Sequence, residues 1–287
     1  MREQGLSLPN RPVVGVLHPG MMGTALGSAL KPAAGVVIWA AAGRSITTSR
    51  RAEMADLVSV PDLNELARRA DLIVSVCPPE AALAVATEVA AALADRPGRP
   101  PLYLDANAVA PGTVRAIGEL LGPDRVVDGS IIGPPPWEPG HTVLWLSGPA
   151  ASTVAELFAG SPFATRLLGP TLGSASALKA CFALQSKALP MIWLAMAAAA
   201  DEFGVRAELR AELARMGAEE SLLDDPEPRA VANAWRWAGE MDEAAAALDA
   251  VGVPDGFSRA AAQMYRRLAA QRPVDRANEW GLRGTAT

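Results

Sequence analysis

Cysteine and histidine are nearly absent. Two cysteines, Cys77 and Cys181, are too few for a disulfide scaffold or a cysteine zinc site. Two histidines, His18 and His141, exclude a histidine-rich metal centre, so no metal is expected. Lysine is scarce too. Lys31, Lys179 and Lys187 stand among 26 basic residues and the rest are arginine, so each lysine is a distinct feature of the chain. Positive charge is not in excess: the net charge of −5 argues against a surface built to grip a nucleic-acid backbone. Long apolar runs are also missing. The run Ala188 to Ala200, interrupted by Pro190, falls short of the roughly 20 residues that cross a bilayer. The opening MREQGLSLPNRP has no apolar signal-peptide core. The expectation is a soluble, cytoplasmic protein with neither a membrane nor a nucleic-acid partner.

What is present is ample core material. Apolar residues make up 50% of the 287 residues and charged residues 20%, enough for one large domain or two modest ones. Strand-type runs VVGVL (13–17), VVIW (36–39), LIVSV (72–76), LYLD (102–105), RVVDG (125–129) and TVLWLS (142–147) alternate with helical segments. Helical patterns follow residue 20, span 62–71 and 80–95, and start at Pro111. Continuously apolar strands alternating with helices predict a parallel sheet covered on both faces, the doubly wound α/β Rossmann arrangement. From about residue 172 strand signals give way to Ala-, Leu-, Arg- and Glu-rich helical patterns. The expected organisation is a dinucleotide-binding domain over 1–170 and an all-α substrate and dimerisation domain over 171–287. Asp224, Asp225 and Glu227 read as a solvated turn between helices, and the chain beyond Arg272 as a loosely ordered tail.

The first strand feeds into H-P-G-M-M-G, residues 18–23, where a dinucleotide fingerprint reads G-x-G-x-x-G. Pro19, Gly20, Met21, Met22 and Gly23 therefore become the phosphate-binding turn, with His18 in the first glycine's place. Gly20 would let backbone N–H groups approach a pyrophosphate, and Gly23 would let the helix pack close on the strand. The second strand ends Ile38-Trp39-Ala40 without the carboxylate that usually binds an NAD ribose. Arg44 and Ser45 follow and suit a 2′-phosphate, so NADP is favoured over NAD. Cys77 and Pro78 lie at the end of a strand, where such sheets bind ligands. They are placed beside the ribose or nicotinamide, Cys77 as a packing group and not as a nucleophile.

In this order the features resemble the β-hydroxyacid dehydrogenase superfamily, which includes 6-phosphogluconate and 3-hydroxyisobutyrate dehydrogenases. V-G-V-L-H-P-G-M-M-G looks like that family's G-x-I-G-L-G-x-M-G. D-A-N-A-V-A-P (105–111) looks like its D-x-S-T-x-x-P loop, which would put Asn107 near the nicotinamide. D-G-S-I-I-G (128–133) sits where the family has its substrate loop D-x-x-x-S-G. Asp128 and Gly133 match there, Ile132 replaces the serine, and Ser130, Ile131 and Gly133 become substrate-binding candidates. G-S-A-S-A-L-K (173–179) is similar to the family's G-x-G-x-x-x-K, which makes Lys179 the implied catalytic lysine. Phe182 and Ala183 stand where the family usually has asparagine, so substrate positioning differs from that of the typical hydroxyacid enzymes. The C-terminal segments around Trp235 and Gly256 resemble a sparsely characterised 6-phosphogluconate-dehydrogenase-like branch, and a homodimer is implied.

A lysine suits this chemistry. Oxidising a secondary alcohol requires a base for the hydroxyl proton as hydride leaves carbon, and reduction requires the reverse donation. Lys179 lies in the apolar stretch ALKACFAL, where desolvation would lower its pKa. Lys187, eight residues on, reads as a surface lysine, with a distal anion as the alternative. Trp235, Arg236 and Trp237 line a substrate cleft or pack between helices. The leading expectation is an NADP-dependent oxidoreductase acting on a small hydroxy or keto acid, with Ser130 and Asn107 orienting the substrate. One alternative is an imine reductase of the same architecture, favoured by the apolar stretch Ile131 to Trp137. The other is a non-catalytic NADP-binding protein.

Overall fold

The computed structural model describes residues 6–218, 220–223 and 228–271. The turn at Asp224–Glu227 and the tail beyond Arg272 lie outside the described residues. The chain divides into two compact units between Lys179 and Ala180. The boundary expected at 170–171 lies just ahead of the helix Ser174–Ala183, in which the division falls.

The first unit is built on one eight-stranded sheet. In chain order the strands are β1 (Val13–Val16), β2 (Val36–Ala40), β3 (Val58–Val60), β4 (Leu72–Ser75), β5 (Leu102–Asp105), β6 (Val126–Ile132), β7 (Val143–Ser147) and β8 (Ala164–Leu167). Across the sheet they lie β3-β2-β1-β4-β5-β6-β7-β8. The first six follow the doubly wound order, whose reversal between β1 and β4 opens the crevice where such sheets bind nucleotides. The helices are α1 (Met21–Leu30), α2 (Ile46–Met54), α3 (Leu63–Arg69), α4 (Ala82–Leu93), α5 (Pro111–Leu121), α6 (Ala151–Leu157) and α7 (Ser174–Ala183), the last shared with the second unit.

Strand alternation sorts the core into two layers. Val14, Val16, Val37, Trp39, Val74 and Leu104 face one way and pack with Leu26 and Leu30 of α1 and Val154 of α6. Ile38, Ala40, Ile73 and Tyr103 face the other way, against Leu66 of α3, Val89 of α4 and Val114 and Ile117 of α5. Helix starts follow local chemistry. The Asp62 carboxylate accepts the Glu65 N–H at 2.9 Å to begin α3, and Pro111 begins α5 where its missing N–H costs nothing.

The structure departs from the sequence pattern in four elements of this unit. β3 and β8 are short edge strands with little burial, and α2 (ITTSRRAEM) and α6 are helices that the apolar periodicity does not predict. The sheet is also not wholly parallel, because β6 and β7 pair antiparallel. Only residues 133–142 connect them, too short for a crossover helix, so the chain returns as a hairpin.

The second unit is helical. α7 runs through a π-turn at Leu184–Ala188 into α8 (Leu189–Glu202). α9 (Arg206–Arg215), a 3-10 turn (Glu220–Leu223), α10 (Pro228–Asp249) and α11 (Gly256–Gln271) follow. α10 and α11 form a hairpin that buries Ala234, Ala238, Met241 and Ala244 against Ala261, Ala262 and Tyr265. The helix Ser174–Glu202 is 29 residues long and, by length and composition alone, apolar enough to cross a membrane. Within this unit it packs through Ala188 and Met191.

Lys187 is not a surface lysine. Its ammonium lies 2.7 Å from the Glu240 carboxylate, with the two side chains 12% and 4% exposed. Arg236 pairs with the same carboxylate one turn away, and the Trp237 ring lies 5.8 Å from the ammonium. Trp237 in turn meets Tyr265 edge-on, and the Tyr265 hydroxyl donates to the Lys187 carbonyl at 3.0 Å. This network pins the π-turn to both long helices, which is why an apolar helix retains a charge here. Glu240→Gln would leave a buried ammonium without its counter-ion. It is expected to lower the unfolding free energy by about 3 kcal/mol in urea titrations. Asp242→Asn, in an exposed pair with Arg266, should change it by less than about 1 kcal/mol.

Candidate functional site

The turn after β1 is a backbone feature first. The Gly20 N–H donates to the His18 carbonyl at 2.8 Å, and the Thr24 hydroxyl donates to the Pro19 carbonyl at 3.0 Å. Gly23 is the residue this geometry requires: a Cβ there would lie 2.0 Å from the His18 carbonyl oxygen. α1 begins at Met21, so its first N–H groups and their partial positive charge face the turn. Pro19 is buried, Met22 partly buried, and Met21 exposed.

His18 follows β1 and Arg44 lies in the β2–α2 loop, after the C-terminal ends of two adjacent strands. Imidazole Nδ1 and guanidinium Nε are each shut off from solvent without a hydrogen-bond partner. Burial, with the charge of Arg44 added, pushes the imidazole down to about 3, so it is neutral at physiological pH. Arg44 is itself partly desolvated, and the nearby Glu88 opposes the effect. Ser45 acts locally, capping α2 by accepting the Thr48 N–H at 3.2 Å.

At the ends of β4 and β5 lies a buried polar cluster. The Asn107 carbonyl oxygen accepts the Cys77 N–H at 2.6 Å. Its amide donates to Asp105 at 2.8 Å and to the Ser75 hydroxyl at 3.3 Å. Asn107 thus ties two adjacent loops together and fixes their shape. Pro78 is buried beside it. Burial and the Asp105 charge push the Cys77 thiol up to about 12, which leaves it protonated and inert as a nucleophile.

β6 separates its candidates by face. Ile131 belongs to the core layer of Val127 and Leu144. Gly133, at φ +130°, sits where a Cβ would lie 2.4 Å from the His141 carbonyl, so it pinches the base of the 133–142 loop. The Thr142 hydroxyl closes the same base by donating to the Pro134 carbonyl at 2.5 Å. Trp137 stands 73% exposed on that loop. Ser130 alternates to the opposite face from Ile131 and shares that face with Asp128; its hydroxyl is buried without a partner.

The feature that the sequence pattern conceals is the partner set of Asp128. Its buried carboxylate accepts the Ser176 N–H at 2.9 Å, the Ser176 hydroxyl at 2.7 Å and the Ser147 hydroxyl at 3.0 Å. The Ala175 N–H adds a bond to Ser147 at 3.1 Å. A carboxylate from β6 and a hydroxyl from β7 thereby satisfy the first turn of α7, a placement that also suits the helix dipole. The separation of 48 positions between Asp128 and Ser176 hides the link, and the family-like spacing at Asp128 is its only sequence signal. Lys179, three residues after Ser176, lies on the same helical face and is half-buried. Trp235 belongs to the second unit, half-buried on α10. Among the described residues no group of three or more His, Cys, Asp or Glu stands together to hold a metal.

Residues 2–105 match the family described as a Rossmann-like domain, and residues 200–268 match a domain of unknown function, DUF1932. No curated protein matches the chain. Among solved structures, a conserved hypothetical protein from Sinorhizobium meliloti 1021 is 21% identical with a TM-score of 0.67, covering 97% of this chain and 95% of that one. The Mycobacterium tuberculosis 3-hydroxyisobutyrate dehydrogenase is 19% identical with a TM-score of 0.64, covering 94% and 97%. An imine reductase from Pseudomonas sp. is 18% identical with a TM-score of 0.50, covering 91% and 94%. The chain therefore joins a Rossmann-like N-terminal domain to a DUF1932 C-terminal domain, in the fold of the 3-hydroxyisobutyrate dehydrogenase-like β-hydroxyacid dehydrogenases.

The Asp128 anchor can be tested on the folded chain. Asp128→Ala orphans three buried donors and is expected to cost about 3 kcal/mol in denaturant titrations, while Ser176→Ala costs about 1 kcal/mol. Burial raises the Asp128 pKa in the folded state, so unfolding releases its proton more readily. The wild type should therefore lose stability relative to Asp128→Asn as pH rises from about 4 through the raised value.

Proposed function

We propose that the chain is an NADP-dependent oxidoreductase that moves a hydride between nicotinamide and a small hydroxy or keto acid. The observation that carries this reading is the Asp128–Ser176 anchor, which fixes the helix face bearing Lys179 against the end of β6. The residues present fit a dinucleotide. The Gly23 cradle would be filled by a Cβ, and two buried nitrogens at the same crevice lack partners. The turn Pro19–Gly23 and the α1 N-terminus would hold the pyrophosphate, and Arg44 the 2′-phosphate that favours NADP over NAD. The tie between Asn107 and Cys77 would shape the wall beside the nicotinamide.

Bound there, the nicotinamide supplies or accepts the hydride. Lys179 does the proton work. In reduction its ammonium donates a proton to the substrate carbonyl oxygen as the carbon becomes C–H. In oxidation the neutral amine takes the hydroxyl proton. The Ser130 hydroxyl offers a buried hydrogen bond without a protein partner, suited to a substrate oxygen.

A second reading, an imine reductase, has its own support. The proline-rich loop after β6 carries the exposed Trp137 and offers an apolar surface in place of a polar substrate loop. The exposed side chains Phe182, Leu189, Ile192 and Phe203 in the second unit support a homodimer, which we also propose, with a cytoplasmic location.

The test is loss of NADPH absorbance across panels of keto acids and cyclic imines. Keto-acid turnover is expected. Turnover of imines alone decides for the second reading, and tight NADPH binding without any turnover decides for a binding protein. Lys179→Ala is expected to lower kcat at least about 100-fold while NADPH affinity, read by fluorescence, stays within about threefold. Unchanged turnover would remove the role assigned to the lysine.

A further inference from the structure

Position 18 is where a dinucleotide turn ordinarily spends a glycine. Here the backbone has no need of one. Among the described residues Asp56 is the non-glycine residue at positive φ, so His18 lies in an ordinary conformation that tolerates a side chain. Its carbonyl is committed to the turn by the Gly20 N–H and by the close approach of Gly23. The imidazole is thus the part of the residue left to explain.

Its surroundings point to a ligand. The local polar groups of the turn and the neighbouring loop are already paired: Thr24 with Pro19, Ser45 with Thr48, Asn107 with Cys77. The imidazole Nδ1 and the Arg44 Nε are the exceptions, both buried and both unmatched. They come from adjacent strands, β1 and β2, on the side of the sheet's reversal where the adenosine half of a dinucleotide lies. Arg44 is half-buried, with its Nε shut off from solvent. An acceptor rich in oxygen and negatively charged would satisfy both nitrogens at once. A neutral imidazole is free to carry its proton on Nδ1 and donate it.

We infer that His18 and Arg44 together hold a phosphoryl group on the adenosine side of the bound dinucleotide, with Nδ1 of His18 donating to one of its oxygens. The inference rests on the reading that a dinucleotide docks at this turn. The histidine in the fingerprint is then an added binding group and not a sign of a decayed site.

The experiment is calorimetric titration of the full chain with 2′,5′-ADP and with 5′-ADP, which measures binding without catalysis. His18→Ala is expected to raise Kd at least fivefold for one or both, and Arg44→Ala likewise. The double variant should lose less than the product of the two single losses, because the groups share one anion. His18→Asn, which keeps a donor, should recover part of the loss and guards against a folding defect in the alanine variant. A loss for 2′,5′-ADP alone assigns the group to the 2′-phosphate, and a loss for both assigns it to the 5′-phosphoryl group that the two ligands share, the adenosine-side half of the dinucleotide's pyrophosphate. Wild-type affinity for both ligands in folded His18→Ala overturns the inference. If the wild-type chain binds neither ligand, the dinucleotide reading itself fails. If both bind in a His18-dependent way while no substrate oxidises NADPH, the inference stands and the catalytic reading falls.

Discussion

A single buried carboxylate organises the first unit. Asp128 is a charge taken out of water in the middle of a sheet, and it is tolerable because three donors converge on it. Two of those donors belong to the first turn of α7 and one to β7. The carboxylate therefore does three things at once. It satisfies helix N–H groups that have no intrahelical partner, it ties the antiparallel β6–β7 pair together, and it sets the rotation of α7 about its axis. Rotation matters for function, because the face that carries Ser176 also carries Lys179. Under the proposed function, an amine that transfers a proton would have to be placed to within a fraction of an ångström, and a helix free to roll could not do so.

The antiparallel turn-back of β7 is part of the same design. A parallel continuation after β6 would have needed a crossover helix over one face of the sheet. The short 133–142 connection leaves that face open for α7 and places Ser147 directly opposite Asp128. Gly133 makes the short route possible, since its φ of +130° and the nearby His141 carbonyl leave no room for a Cβ. Ser130, two residues along from Asp128, inherits a buried position on the helix-facing side. Its neighbour Ile131 is directed into the opposite core by strand alternation.

The strands that are legible in the sequence are those buried on both faces. β1, β2, β4 and β5 are short apolar runs bounded by turn residues, and their limits agree with the pattern to within a residue or two. β3 and β8 leave little trace because an edge strand has one neighbour and little burial, so Val-Ser-Val and Ala-Thr-Arg-Leu carry almost no hydrophobic signal. α2 is hidden for a different reason. Ile-Thr-Thr-Ser-Arg-Arg is a poor amphipathic pattern, and Ser45, expected beside a 2′-phosphate by its place in the chain, caps the helix. The glycine turn can be read because its requirement is steric and local. The Asp128–Ser176 and Lys187–Glu240 pairs cannot, because each joins residues about 50 positions apart and neither leaves a periodic trace.

The contrast between the chain's rare residues shows why type alone does not assign a role. Lys187 is scarce and conspicuous, yet its charge is matched by Glu240, roofed by Trp237 and locked by Tyr265 through its own carbonyl. A cation so compensated serves as an anchor. Cys77 is conspicuous as well, and burial beside Asp105 keeps its thiol protonated. His18 is the reverse case: conspicuous as a defect in a motif, it brings a buried nitrogen without a partner to the turn after β1. A folded chain fills its internal hydrogen bonds wherever it can. Under the proposed reading, the nitrogen left unfilled at the C-terminal edge of this doubly wound sheet is one that a bound phosphoryl group would complete.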